Sequence, residues 1–203
     1  MRWPAIASAT AAVLVALLSV SLFWPGNSGT AFAQAQQWLS SFRTLRADTK
    51  ITAGDAVSTV IAWLDESGDT RIESSGTTTI IKPNEGLIYA LLPDGQTFAQ
   101  PITSERVVGN AMEFVDNIRA FKGQALLLPE TRLIDGIQAD GYELEGDGLT
   151  NVLWVDPADG RPLLVETEMP GGQTMRTVLR FDVALPDNAF EIPDDVRPAP
   201  LFE

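Results

Sequence analysis

Glycine-centred turn signals interrupt the sequence at short intervals, and this spacing limits the fold more than any other feature. Gly54-Asp55, Glu66-Ser67-Gly68-Asp69, Asn84-Glu85-Gly86 and Pro93-Asp94-Gly95 divide the first half. Asp156-Pro157-Ala158-Asp159-Gly160 and Pro170-Gly171-Gly172-Gln173 divide the second. Short segments between such turns pair as antiparallel hairpins.

The segments themselves read as strands. Leu45, Ala47, Thr49 and Ile51 alternate with Arg46, Asp48, Lys50 and Thr52, which gives one buried and one wet face. Residues 57–64 are apolar on both faces, with Val57, Ile61 and Trp63 on one and Val60, Ala62 and Leu64 on the other. A Thr-rich strand spans 70–82, followed by 87–92 and QTFAQPI. Further strands are expected over about 125–135, 138–145, 149–156, 162–169 and 174–184. The last alternates Met175, Leu179, Phe181 and Val183 with Arg176, Arg180 and Asp182. In the Pro-rich tail, Phe190 and Ile192 are expected to fold back onto the sheet edge.

Two segments change to the helical period. Phe32, Ala35, Trp38, Leu39 and Phe42 share one face of a helix over 31–43. Val108, Met112, Val115 and Ile118 do the same over 104–123, with Ser104 as cap and Gly123 just past the end. The fold class is therefore α+β. It comprises a curled antiparallel sheet, an incomplete β-barrel of about nine or ten strands, covered by two helices.

Residues 5–24 carry no charge, and this length matches the ~20 residues a helix needs to cross a bilayer. Trp3 and Trp24 bracket the run, and Arg2 precedes it, which orients the N-terminus inside. Ala31-Phe32-Ala33, however, also has the small-x-small form of a signal-peptidase site. Either way the following domain crosses the membrane. Residues 1–30 are expected to form an anchor or signal segment with a short linker, and 31–203 the domain. The location is extracytoplasmic, either anchored in the inner membrane or secreted after cleavage near Ala33.

Composition narrows the chemistry. The 203 residues include no cysteine and no histidine. Thiolate metal sites, the usual zinc ligand and the Ser-His-Asp triad are thereby excluded. The net charge is −13, and Arg2 is the only charged residue in the first thirty. Such a balance disfavours nucleic acid as a partner. Asp140, Glu143, Glu145 and Asp147, or Asp156 with Asp159, lack the spacing of an EF-hand and suit hairpin turns. No nucleophile motif is present, so no catalytic residue, metal or cofactor is assigned, and the protein is not read as an enzyme.

The helix-into-strand opening AFAQAQQWLSSFRTLRADTKI, the hairpin LWVDPADGRPLLVE and the closing FDVALPDNAFEIP resemble the lipoprotein-carrier (LolA-like) superfamily. Its relatives include mycobacterial lipid-binding lipoproteins and a periplasmic envelope-stress regulator. Trp154, Asp156, Gly160 and Pro162 carry the hairpin match, and Leu185, Pro186, Phe190 and Pro193 the closing one. The resemblance implies a half-barrel with a helical lid that binds a lipid or a lipoprotein's acyl chain, without catalytic residues. The chain departs from the lipoproteins of that group in having no N-terminal cysteine.

Trp63, Tyr89, Phe98, Met112, Val115, Leu179 and Phe181 are the apolar residues expected to line such a pocket. An acyl chain would gain ~0.8 kcal/mol per buried methylene there, with no polar motif needed. The alternative is an envelope sensory or regulatory module that uses the same fold to bind a protein. It would show a filled core with an exposed apolar patch or sheet edge.

Overall fold

The computed structural model describes residues 30–102, 118–122, 125–146, 149–169 and 171–198. Helix α1 spans Thr30–Ser41. The strands are β1 (Thr44–Ala53), β2 (Ala56–Asp65), β3 (Thr70–Ser74), β4 (Thr77–Lys82), β5 (Leu87–Leu91) and β6 (Thr97–Pro101). They continue as β7 (Ala125–Ile134), β8 (Ile137–Gly146), β9 (Leu149–Val155), β10 (Pro162–Met169), β11 (Gln173–Phe181) and β12 (Val196–Pro198). Residues 118–120 are helical, while most of the expected 104–123 helix lies outside the described residues. So does the uncharged run 5–24.

All twelve strands form one open sheet in the order β12-β6-β5-β4-β3-β2-β1-β11-β10-β9-β8-β7. Every pairing is antiparallel except β12 with β6, which is parallel. The meander folds each hairpin locally. The long-range pairing of β1 against β11 sets Leu45 opposite Phe181 and Ala47 opposite Leu179.

Two strands exceed the number expected from the sequence. The 70–82 stretch is a hairpin, β3 and β4, turned at Ser75 (φ 50°) and Gly76 (φ 81°). Two successive residues in the left-handed region match the twist of a tight hairpin. The second addition is β12, a three-residue piece of the tail that pairs beside β6.

The inner face of the sheet holds the main core. Leu45, Ala47, Val60, Ala62, Leu64, Ile72, Ile81, Ile88, Met175 and Leu179 are buried there together with Phe32, Ala35, Leu39 and Phe42 of the α1 region. Ile118 and Phe121 join the same core. Phe32 is fully buried, and its ring meets Phe121 edge-on at 5.2 Å.

α1 and the 118–121 segment hold one another by their ends. The Gln36 side-chain amide donates to the carbonyls of Ile118 (2.9 Å), Arg119 (3.0 Å) and Phe121 (2.8 Å). In return Arg119 Nε donates to the Leu39 carbonyl at 2.7 Å, and its guanidinium lies 5.6 Å from the Phe42 ring centre. Carbonyls left over at helix ends need such donors.

α1 also rests on the β9–β10 hairpin. Trp38 Nε1 donates to the Asp159 carbonyl at 3.0 Å, and Arg161 stacks on the Trp38 ring. Gly160 (φ 72°) lies beneath the helix, and a Cβ there would come within 2.4 Å of Gln34 Cβ.

The outer face carries a second, smaller core around Ile134, Ala139, Trp154, Leu163 and Leu164. Arg132 covers the Trp154 ring and pairs with Glu166, which also accepts from Trp154 Nε1 at 2.9 Å. The closing segment crosses this outer face. Arg71 donates to the Ala189 carbonyl at 3.2 Å, and Lys82 lies 5.8 Å from the Phe190 ring centre. Phe190 thus settles on the outer face, and it is β12 that lies along the sheet edge.

Candidate functional site

Strand register defines the inner face row by row. One row runs from Leu179 through Ala47, Ala62, Ile72, Thr79 and Ala90 to Phe98. Three of its members are alanines, so the row is a shallow trough in the floor of the sheet. Ala47 and Ala62 lie in the core under the helices, whereas Thr79, Ala90 and Phe98 are only half-buried. On the β4–β6 wing the trough is therefore only partly covered. Ile81 and Ile88, both buried, flank it.

The inner face has polar atoms, but they bond to each other. Thr49 Oγ1 and Thr177 Oγ1 lie 3.0 Å apart, and Thr167 donates to Asn151 Oδ1 at 2.7 Å. All four residues are at most 4 % exposed. A buried polar group stays in an apolar face only when partnered in this way. Among the described residues, no group of three or more acidic side chains is placed to hold a metal ion. A face whose buried polar groups satisfy one another can hold a hydrocarbon without polar recognition.

Two tyrosines, one on each face of the sheet, are buried. Burial, then the nearby Asp140 carboxylate, pushes the Tyr142 phenol up from 10.0. Burial, then the hydrogen bond and charge of Glu85, does the same to Tyr89, whose hydroxyl donates to Glu85 at 2.9 Å. In both cases the folded state favours the neutral phenol, so the unfolded chain ionises first as pH rises. Their contribution is intact below pH 10.0 and is lost as pH climbs from there through the folded values. Urea midpoints should therefore fall between about pH 9 and about pH 11, and a Tyr89→Phe, Tyr142→Phe double variant should fall less.

The residues expected to line a pocket divide into three sets. Leu179, Phe181 and Phe98 stand on the inner face. Phe181 is half-buried, with the Trp38 and Phe42 rings 5.8 Å and 6.0 Å away. Met112 and Val115 lie outside the described residues. Trp63 and Tyr89 point to the outer face, in one row with Arg46, Arg71 and Ile80. Trp63 is stacked under Arg46 at 5.6 Å.

The outward pair has a physical cause. The C-terminal half of β2 is buried on both faces, with Ala62 and Leu64 in the inner core and Trp63 under Arg46 on the outer face. Alternation cannot tell two such faces apart. Sequence reasoning also passed over Ala62 and Ala90, the small residues of the trough. Their signal is positional and appears only once the strands are in register.

No protein-family model matches the chain, and comparison with curated proteins finds no match. Among solved structures it is similar to a LolA superfamily protein of Nitrosomonas europaea, with 15% identity and a TM-score of 0.37 over 80% of this chain and 96% of that one. It is similar to the Mycobacterium tuberculosis lipoprotein LppX, with 10% identity and a TM-score of 0.47 over 77% and 95%. A chain of the Pseudomonas aeruginosa MucA/MucB complex matches with 12% identity and a TM-score of 0.38 over 95% and 64%. Among the described residues no helix is long and apolar enough to cross a membrane.

Proposed function

We infer that the protein is a non-catalytic, extracytoplasmic binding protein that takes an acyl chain of a lipid or lipoprotein along its inner face. One observation carries this. The Ala62–Ala90 row is made of small or aliphatic uncharged side chains, buried at its Ala62 end and half-buried at its Ala90 end. Hydrocarbon burial there needs no polar recognition and gains ~0.8 kcal/mol per methylene. Residues 31–203 form the binding domain, held to the membrane through 5–24. Retention of the N-terminal segment is supported by Phe32, since a cut after Ala33 would remove a fully buried core residue.

Ala90→Phe tests the trough directly. Ala90 is half-buried, so the larger ring fits without disrupting the core, yet it fills that end of the row. Excluding two or so methylenes should weaken binding of a fluorescent fatty acid about tenfold or more, with the urea midpoint nearly unchanged. Undiminished binding by a folded Ala90→Phe variant would remove the trough as the site.

A further inference from the structure

We propose that β7 is a docking edge for an extended, basic-and-apolar segment of another protein, which adds to the sheet as a further strand. The two ends of the sheet differ. At one end the last strand is β12, three residues long and finished by Pro198. At the other end lies β7, ten residues long, with no strand beyond it among the described residues. An edge strand presents unpaired N–H and C=O groups, and proteins usually guard such edges with lysines, prolines or bulges.

β7 is guarded only at its middle. Its pairing with β8 shifts between Leu127 and Thr131, around Pro129. The runs on either side, 125–127 and 131–134, pair regularly with β8 and contain no lysine. They carry large apolar side chains in water. Leu127 is 62% exposed and Leu133 68%, both on the inner-face side, while Leu126 is 41% exposed on the other. Three exposed leucines on one open edge combine the two marks of strand addition, main-chain groups for affinity and side chains for selectivity.

Charge selects the occupant. Glu130 is exposed on the strand, Asp140 stands in register with Thr131, and Glu143 with Leu126. Asp135 at the following turn is already paired with Arg180 at 3.6 Å, so Glu130, Asp140 and Glu143 make the acidic character of this edge. The one cation on β7, Arg132, is engaged by Glu166 and the Trp154 ring. Pairing two copies of β7 would bring these carboxylates together in a chain of net charge −13. A strand alternating Lys or Arg with apolar residues meets both the leucines and the acids. The edge lies apart from the β4–β6 trough, so this inference holds whether or not the inner face takes lipid.

Hydrogen exchange on the full chain, in detergent, tests it. The probe is a synthetic peptide of alternating valine and lysine, with a valine–glutamate peptide as control. At about ten times its Kd the lysine peptide should slow exchange at 131–134 about tenfold, while the glutamate peptide leaves it unchanged. Leu127→Lys with Leu133→Lys, both at exposed positions, should abolish the protection with exchange elsewhere unaltered. Absence of protection at β7, or equal protection by the glutamate peptide, would overturn the proposal. Slow β7 exchange without any peptide, in a chain that sediments as a dimer, would also overturn it in favour of a second copy.

Discussion

Gly160→Val is expected to destabilise the protein by about 3–5 kcal/mol, lowering its melting temperature by about 10 °C. Two effects add. Gly160 has φ 72°, a conformation that costs any β-branched residue. Its missing Cβ is also the space into which α1 settles, since an added atom would lie 2.4 Å from Gln34 Cβ and 3.1 Å from the Ala31 carbonyl. Neither neighbour is the free end of a flexible chain. Gly54→Val separates the two effects. Gly54 has φ 58°, and a Cβ there meets nothing within 4 Å. It should show the conformational part alone, about 1–3 kcal/mol. Thermal melts of both variants, followed by circular dichroism, would measure the difference. Equal losses would mean that α1 is not seated on this hairpin.

Phe32→Ala should cost about as much, 3–5 kcal/mol, by opening a cavity between α1, Phe121 and Tyr142. The Phe32 ring is wholly buried, 5.2 Å from Phe121 and 6.4 Å from Tyr142. The effect bears on the N-terminus. Ala31-Phe32-Ala33 resembles a peptidase site, but its central residue closes the core. A chain that starts at Gln34 should be as unstable as Phe32→Ala in urea unfolding. If it were as stable as the full chain, Phe32 would be dispensable and the motif free to act as a cleavage site.

These two residues also show what the sequence made legible. The Phe32–Phe42 helix stripe, the 156–160 turn and the inward set of β11 all depend on local periods and turn residues. Met175, Leu179 and Phe181 face inward as their alternation indicates. The β3–β4 turn was hidden because Ser75-Gly76 sits inside a stretch rich in Thr and Ile that reads as one strand. β12 was hidden because its partner, β6, lies far earlier in the chain and the pairing leaves no periodic trace. Trp63 and Tyr89 illustrate the same limit for the site. Their apolar character was evident, but their side of the sheet depends on a closing segment that passes over Arg71 and Lys82. Met112 and Val115 remain expectations of the helical period in a stretch beyond the described residues.

Register also changes the meaning of some residues. Ala47, Ala62 and Ala90 stand in three separate strands, and only pairing lines them up in one row. The exposed leucines of β7 read in sequence as an ordinary apolar strand, and become an open edge only because no strand follows β7 in the sheet order.

The central claim is that the inner face holds an acyl chain, and native mass spectrometry of the full chain tests it most directly. The protein would be purified from a bacterial envelope in mild detergent and released from the micelle in the instrument. The account predicts a discrete adduct that extracts as a fatty acid or phospholipid, and that Ala90→Phe reduces. A clean unliganded mass that takes up no added lipid, from protein whose unfolding is otherwise normal, would contradict it.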